Sequence, residues 1–261
     1  MTLWSAADVY RWIRGRLRPI WTGVYARYED VPVSGPGFDG ATWTAITRSH
    51  TERALADLHR GASPRATGDR ALLPELAADV LAARGAVRVV DFGGGMGIGY
   101  IDVRARCGPA DVDYVVVETE AICVAGRSLF GDDPAIRFVT SLTEVAAGAD
   151  IVYVSSALQY VREPIALLRT LAGFGARYLL LVNVSAGDIP TYAAAQRNVP
   201  GSVIAYWFLA ADEISGTLRA VGYEPRRATL SERRLTGFAV PRRYRIARGR
   251  NLLFERVAKK A

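Results

Sequence analysis

Short runs of consecutive apolar residues alternate with segments of helical periodicity over most of the chain. The runs 87–92, 114–117 and 151–154 are apolar or nearly so, which predicts strands that are buried on both faces. In segments such as 72–85 and 121–130 the apolar residues recur every three or four positions, which predicts amphipathic helices. This alternation predicts an α/β fold with a mainly parallel sheet and helices on both of its faces.

The first 65 residues have a different pattern. Apolar residues at three- and four-residue steps between Leu3 and Leu17 predict an amphipathic helix that ends at Pro19, and a loop rich in Gly and Pro follows at 29–40. We therefore divide the chain into a helical and loop-rich N-terminal cap, residues 1–65, and a main domain, residues 66–261. Near the end of the chain, Tyr244–Ile246 and Leu252–Phe254 are predicted to close the sheet as an antiparallel hairpin.

Composition limits the class of protein. No run of about 18 apolar residues is present, and the start of the chain lacks the pattern of a secretory signal, so no membrane span is predicted. Cys107 and Cys123 form no CxxC pair and are predicted to be reduced thiols in a cytoplasmic protein. With only His50 and His59 as histidines, no metal site is predicted.

The positive charge is concentrated in one segment. Residues 224–250 contain nine arginines and two glutamates, a formal charge of +7 that equals the net charge of the whole chain. Such a local field suits an anionic substrate, an acidic partner or nucleic acid. The alternative, which stays open, is a solvated hairpin whose arginines only keep the protein in solution.

The stretch VVDFGGGMGIGY, Val89–Tyr100, carries the clearest chemical signal. Its glycines follow a predicted buried strand and precede a helix, and ligands of parallel sheets bind beyond the carboxyl ends of such strands. Glycine there allows sharp turns and a close approach of backbone to ligand. The dinucleotide pattern G-x-G-x-x-G fails in every register, and no G-x-x-x-x-G-K-[ST] phosphate loop is present.

The pattern that fits is acid-x-G-x-G-x-G, which starts at Asp91. It resembles the first motif of the class I S-adenosylmethionine-dependent methyltransferases. The resemblance implies a Rossmann-like seven-stranded sheet, S-adenosylmethionine as cofactor and S-adenosylhomocysteine as product. Glu118, at the end of the next strand, corresponds to the acid that accepts hydrogen bonds from the ribose hydroxyls, with Glu120 as the alternative. The implied cofactor residues around the first motif are Asp91, Gly93, Gly94, Gly95, Gly97 and Glu118.

Two later segments complete the implied cofactor site. Ser141 and Leu142 occupy the position where many family members place an acid toward the adenine, and Ser155 and Gln159 the position near the sulfur. Four short stretches also resemble a mostly uncharacterised methyltransferase family often encoded near surface-polysaccharide genes, over about residues 20–255. These stretches are Trp21–Tyr25, Gly37–Asp39, Ala195–Asn198 and Asn251–Phe254.

The resemblance implies methyl transfer, and we expect the acceptor to be a hydroxyl of a glycan or a small metabolite that carries negative charge, with an amine as the less favoured alternative. The segment 183–201 is interpreted as a loop that forms one wall of the acceptor pocket. The candidate catalytic residues are Asp188 as the base, Gln196 and Asn198 as orienting groups, and Tyr25 as a pocket residue from the cap. Two alternatives remain: an RNA-modifying enzyme, which is less favoured, and a non-catalytic binding subunit. A homodimer is left open.

Overall fold

The computed structural model describes residues 19–39, 41–61, 66–108, 111–197 and 201–257. Within them lie six α-helices and twelve strands. The helices are α1 (Ala41–His59), α2 (Leu72–Arg84), α3 (Ile98–Cys107), α4 (Glu120–Phe130), α5 (Pro164–Gly173) and α6 (Ala211–Ala220). The strands are β1 (Trp21–Tyr25), β2 (Ala86–Phe92), β3 (Asp111–Val117), β4 (Ile136–Val139), β5 (Ile151–Ser155), β6 (Tyr178–Val184), β7 (Ala186–Gly187), β8 (Tyr192–Gln196), β9 (Ile204–Ala210), β10 (Tyr223–Arg234), β11 (Phe238–Ala239) and β12 (Arg248–Arg256).

The main sheet has seven strands in the order β10-β12-β6-β5-β2-β3-β4. The five strands from β4 to β6 are parallel, whereas β12 is antiparallel to both of its neighbours. The chain leaves β2 toward β3 on one side and later returns to β5 on the other side of β2. The carboxyl ends of β2 and β5 therefore flank the topological switch point, where ligands of such sheets bind. The predicted α/β fold with a mainly parallel seven-stranded sheet is confirmed.

Consecutive residues of the central strands point into two separate core layers, because side chains of a strand alternate between faces. Val89 of β2 packs with α2 and α3 on one face, and Val90 packs with α5 and α6 on the other. Both valines are fully buried. This double burial explains why the strands are apolar throughout rather than alternating with polar residues.

A second sheet, which the sequence pattern did not predict, has the order β11-β1-β8-β9-β7. Part of segment 183–201, interpreted above as a loop, contains its strands β7 and β8, and that interpretation is wrong there. Strand β8 has the sequence YAAAQ, and alanine has low strand propensity, so its pattern gave no signal. The strand forms because β1 and β9 pair with it on either side.

The C-terminal hairpin is confirmed only in its second half. Leu252–Phe254 lies in β12, but its partner is β10, whereas Tyr244 ends a 3₁₀ turn, Arg242–Tyr244. Strand β10 is an edge strand with mostly exposed polar side chains, so it lacks the apolar run that predicts a strand. The helix predicted between Leu3 and Leu17 lies outside the described residues. Among the residues described, no helix has the length and apolar character needed to cross a membrane.

Candidate active site

The glycine loop between β2 and α3 packs too closely for side chains. Gly93 has φ of +72°, and a Cβ there would lie 2.4 Å from Ala157 Cβ in the turn after β5. A Cβ on Gly94 would lie 2.3 Å from Asp91 Oδ2. Gly95 and Gly97 also have positive φ, in the region that favours glycine. The glycines thus let the loop approach both the end of β5 and the carboxylate beneath it.

Asp91 lies under this loop at the end of β2 and is buried. The Tyr114 hydroxyl donates a 2.6 Å hydrogen bond to Asp91 Oδ2, while Oδ1 has no partner among the described residues. Burial, with a smaller contribution from the neighbouring Glu118 charge, raises the pKa of Asp91 to about 7 against the opposing effect of the Tyr114 hydrogen bond. A buried acceptor without a partner, beside a loop of free backbone, is typical of a ligand site.

Glu118, at the end of β3, faces the same loop. The backbone N–H of Gly95 donates to Glu118 Oε1 at 3.2 Å, and that of Thr119 donates to Oε2 at 2.9 Å. Burial raises the pKa of Glu118 above its usual range, although both of these hydrogen bonds favour the charged form. Each carboxylate oxygen can accept a further hydrogen bond. Two carboxylates that disfavour each other's charge form a site suited to a cationic ligand.

Ser141 and Leu142 lie at the end of β4, next to Glu118 along the sheet edge. The Ser141 hydroxyl accepts a 3.2 Å hydrogen bond from the Thr143 N–H and caps the short 3₁₀ helix Leu142–Glu144. Leu142 is half-buried and packs against the core. The Ser141 hydroxyl is thus held by local structure, and Leu142 provides an apolar surface at this end of the site.

The ends of β5 and β6 carry strained backbone. Ser156 and Asn183 are the two non-glycine residues with positive φ in the described part of the chain, at 56° and 54°. They lie beside each other, since the Ser156 N–H donates to the Val182 carbonyl. Ser155, the last residue of β5, is half-buried at this edge. Strain of this kind persists only where the surroundings enforce it, and it clusters at functional sites.

Gln159 links this strained edge to the second sheet. It is buried in the 3₁₀ helix Leu158–Tyr160, and its Nε2 donates to the Asn183 carbonyl at 3.3 Å. Its Oε1 has no hydrogen-bond partner in the described structure. The Tyr206 hydroxyl of β9 lies against Gln159 and Ser185, and burial raises the pKa of Tyr206. Gln159 therefore offers a buried acceptor beside the end of β5.

A polar network holds Asn183 in place from behind. Asn251 Oδ1 accepts from the Asn183 N–H at 2.9 Å, and Asn251 Nδ2 donates to Asp69 Oδ1 at 2.7 Å. The Ser231 hydroxyl lies between Asp69 Oδ2 and Asn183 Oδ1. All of these groups except Asn183 are buried. The network ties β6, β10 and β12 to Asp69, in the 3₁₀ helix Gly68–Ala71 that precedes α2, and fixes the strained edge.

Helix α1 lies over the glycine loop. Thr47 Cγ2 would be 3.6 Å from a Cβ on Gly95, and a cavity of about 590 Å³ lies between α1, the loop and α3. A chain of ring contacts then runs from α1 to the second sheet, with centroid distances of 4.7–5.0 Å. Its members are Trp43, Phe38, Tyr160 and Tyr206. These elements form an aromatic wall near the end of β5.

The candidate catalytic residues are dispersed. Tyr25, in β1, packs against the core layer that contains Val90, and Gln196, at the end of β8, is fully buried with neither amide atom paired among the described residues. Asp188 follows β7, has a side chain that is 87% exposed and forms a 2.6 Å ion pair with Arg250. Asn198 lies outside the described residues. No hydrogen bond or ion pair joins the three described side chains to the glycine loop or Glu118.

The sequence pattern did not identify several residues of this site. Tyr114 interrupts the valines of β3, and Asn183 interrupts the aliphatic run of β6. A polar group within a buried strand is a signal that could have found both, because such groups require partners. Trp43 and Asp69 reach the site only through tertiary contacts, so their positions in the sequence gave no signal, whereas Phe38 lies in the stretch Gly37–Asp39 that carries part of the family resemblance.

Comparison with known proteins identifies the fold. No protein-family model matches the chain, and neither does any curated protein sequence. Among solved structures, a chain of the complex between the Haloferax volcanii Trm112 methyltransferase activator and the putative methyltransferase is 14% identical, with a TM-score of 0.50, over 86% of this chain and 97% of that one. The fold is the Rossmann-like methyltransferase fold.

Two further solved structures are similar over most of their length. The Burkholderia thailandensis 1,6-didemethyltoxoflavin-N1-methyltransferase, with S-adenosylhomocysteine bound, is 15% identical over 88% of this chain and 93% of its own, with a TM-score of 0.49. The magnesium protoporphyrin IX methyltransferase of Synechocystis, also with S-adenosylhomocysteine, is 16% identical over 82% and 99%, with a TM-score of 0.48.

Proposed function

We propose that this protein is an S-adenosylmethionine-dependent methyltransferase. The observation that carries the proposal is the Glu118 carboxylate, which lies 3.2 Å from the Gly95 N–H across a glycine loop. The loop stands above buried Asp91 at the switch point of a methyltransferase-fold sheet. A carboxylate at the end of β3 suits a ribose, because its two oxygens can accept from both hydroxyls.

The residues present fit this cofactor in charge and in shape. S-adenosylmethionine carries a sulfonium and an ammonium group, and it supplies an electrophilic methyl group when bound. Asp91 and Glu118 favour a cationic ligand, and the backbone of Gly93, Gly94, Gly95 and Gly97 allows its close approach. Toward the adenine, Leu142 would provide apolar contact and Ser141 polar contact. Ser155 and the unpaired Oε1 of Gln159 would contact the cofactor near its sulfur.

The acceptor is proposed to be a hydroxyl of a glycan or small metabolite. Methyl transfer to a hydroxyl needs an aligned acceptor and a group that removes its proton. The aromatic wall, through its members Phe38, Tyr160 and Tyr206, supports the binding of a ring or sugar beside the end of β5. Asp188 remains the proposed base, Gln196 and Asn198 the proposed orienting groups, and Tyr25 a proposed pocket residue from the cap. The side-chain amide of Gln196 is buried without a hydrogen-bond partner among the described residues, which supports its proposed role as an orienting group.

The proposal is tested by equilibrium dialysis with methyl-labelled S-adenosylmethionine, followed by incubation with a panel of acceptors. The panel contains free sugars, phosphorylated sugars, phenols and a mixed RNA. We expect cofactor binding without any acceptor, and formation of S-adenosylhomocysteine with a hydroxyl acceptor of the sugar group. Failure of the protein to retain the labelled cofactor at millimolar concentration would contradict the proposal. Transfer of the label only to RNA would mean that the acceptor is RNA and not a glycan or small metabolite.

A further inference from the structure

The sequence Arg248-Gly249-Arg250 opens β12 at the carboxyl edge of the main sheet. In a strand, residues two positions apart share one face, so both arginine side chains project from the same side of β12. Gly249 faces the other way, where a Cβ would lie 2.3 Å from the Val184 carbonyl oxygen. The glycine lets β12 pack against the end of β6 and brings the two arginines to that edge.

Both arginines line a cavity of about 620 Å³ that we call the arginine cavity. Arg234 from the end of β10 and Arg245 from the preceding turn contribute two more guanidinium groups, and Asp188 is the one acidic residue on its walls. Apolar side chains complete the cavity, namely those of Ile189, Leu230, Leu235 and Ile246. Its volume falls within the range of small-molecule sites, roughly 300–1,000 Å³.

The arrangement is electrostatically unfavourable without an anion. Arg234 and Arg248 are register partners across β10 and β12, and like charges directly opposite each other destabilise a strand pair. Neither has an ion pair or a side-chain hydrogen bond in the part of the chain that the structure describes. Arg250 is paired with Asp188, and Arg245 Nε donates to the Val240 carbonyl at 2.7 Å. Four arginines against one aspartate leave a formal excess of +3.

The cavity lies on the same edge of the sheet as the glycine loop. Strands β2, β5, β6 and β12 are consecutive neighbours, so three strand spacings, about 14 Å, separate β2 from β12. Arg250 is paired with Val184, the last residue of β6, so it lies beyond the level at which Phe92 ends β2. The glycine loop and the arginine cavity therefore lie at the same edge of the sheet.

From this geometry we propose that the arginine cavity binds a phosphoryl or diphosphate group of the acceptor. The planar, forked guanidinium matches phosphate oxygens with paired hydrogen bonds, and four of them surround one cavity. When the anion enters, it would replace the Asp188 carboxylate as the partner of Arg250. This inference rests on the proposed function in assigning the anion to an acceptor, and it narrows that acceptor to phosphorylated or nucleotide-linked compounds.

The test is calorimetric titration of inorganic pyrophosphate into three full-length proteins: the wild type, Arg248→Gln/Arg250→Gln and Arg226→Gln/Arg227→Gln. The last pair removes equal charge from the start of β10, at the far end of the same hairpin. We expect the wild type and the control pair to bind pyrophosphate alike. The cavity variant should bind at least roughly tenfold more weakly, since each lost charge-assisted hydrogen bond costs about that factor.

Four outcomes separate this inference from the proposed function. S-adenosylhomocysteine titrated into the cavity variant should bind as to the wild type, which also reports that the variant is folded. Pyrophosphate binding without any cofactor binding would sustain the anion site and contradict the methyltransferase proposal. No pyrophosphate binding by the wild type, or equal loss in both variants, would overturn the anion site. Tight binding of a mixed RNA, with a log–log salt slope of about 0.7 per phosphate contacted, would overturn it in favour of nucleic acid.

Discussion

The two ends of the sheet's carboxyl edge differ in charge and in construction. At the glycine loop, Asp91 and Glu118 present two carboxylates with raised pKa values. About 14 Å along the edge, Arg234 and Arg248 face each other in the arginine cavity. The first end favours a cation and the second an anion. This difference in charge fits the proposed division of one sheet edge between a cationic cofactor and an anionic acceptor.

The largest effect is expected at the glycine loop from Gly93→Ala. Its φ of +72° disfavours a side chain, and the new Cβ would lie 2.4 Å from Ala157 Cβ. Backbone strain and overpacking each cost about 1–3 kcal/mol. We expect a clear loss in the free energy of unfolding, measured in urea, together with loss of S-adenosylhomocysteine binding.

The matched control is Gly216→Ala in α6, where a Cβ would meet nothing within 4 Å. In a helix this change stabilises by about 0.5–1 kcal/mol. Similar urea midpoints for the two variants would mean that the glycine loop does not pack as described.

The next effect is expected at the polar network that holds Asn183. Asn251→Ala removes the acceptor of the Asn183 N–H and the donor to Asp69. Leaving buried polar groups unpaired costs about 1–3 kcal/mol, so the thermal midpoint should fall. Thr229→Val, which removes only the 3.3 Å contact from Asn251 Nδ2, is the control and should change it little. Equal midpoints for wild type and Asn251→Ala would show that the network does not hold the strained edge.

A pH-dependent effect of intermediate size is expected from Asp91. Its pKa is about 7 in the folded protein against an ordinary value of 3.8, so the folded state holds a proton that the unfolded chain releases. The free energy of unfolding should therefore fall as the pH rises from about 4 to about 7. Asp91→Asn removes this titration. Urea unfolding at about pH 5 and about pH 8 should show a smaller fall for the variant; an equal fall would assign the titration to another group.

The smallest effect on stability is expected from Asp188→Asn. The side chain is 87% exposed, and exposed ion pairs contribute little to stability. The variant nevertheless tests two proposals separately: that the arginine cavity binds an anion, and that Asp188 is the base in methyl transfer. Removing this negative charge should strengthen pyrophosphate binding, and if Asp188 is the base, methyl transfer should fall by roughly 10²–10⁴. Unchanged methyl transfer in the variant would exclude Asp188 as the base.

The two ends also differ in how far the sequence predicts them. The strands and helices around the glycine loop were predicted because each is a contiguous segment with its own periodicity, such as Val87–Phe92 before the loop and the helix after it. Asp91 and the glycines lie at a strand end, where topology alone brings Glu118 close. The local sequence pattern is therefore enough to predict most of the structure around the glycine loop.

The rest of the site depends on contacts between distant segments. Strand β8 reads YAAAQ and is defined by β1 and β9, which are remote from it in sequence. The aromatic wall requires Phe38 and Tyr160 to meet across the fold. Arg234 and Arg248 become opposed only through the register of a long polar hairpin. Such pairings follow from tertiary packing, which outweighs weak strand propensity.

The most direct test of the central claim is calorimetric titration of S-adenosylhomocysteine into wild type, Glu118→Gln and Glu120→Gln. Glu118 faces the glycine loop, whereas Glu120 is exposed and paired with Arg127 at the start of α4. We predict that Glu118→Gln weakens binding by roughly tenfold or more, because charge-assisted hydrogen bonds to the ribose are lost, while Glu120→Gln binds as the wild type does. Equal affinity of the wild type and Glu118→Gln would contradict the account.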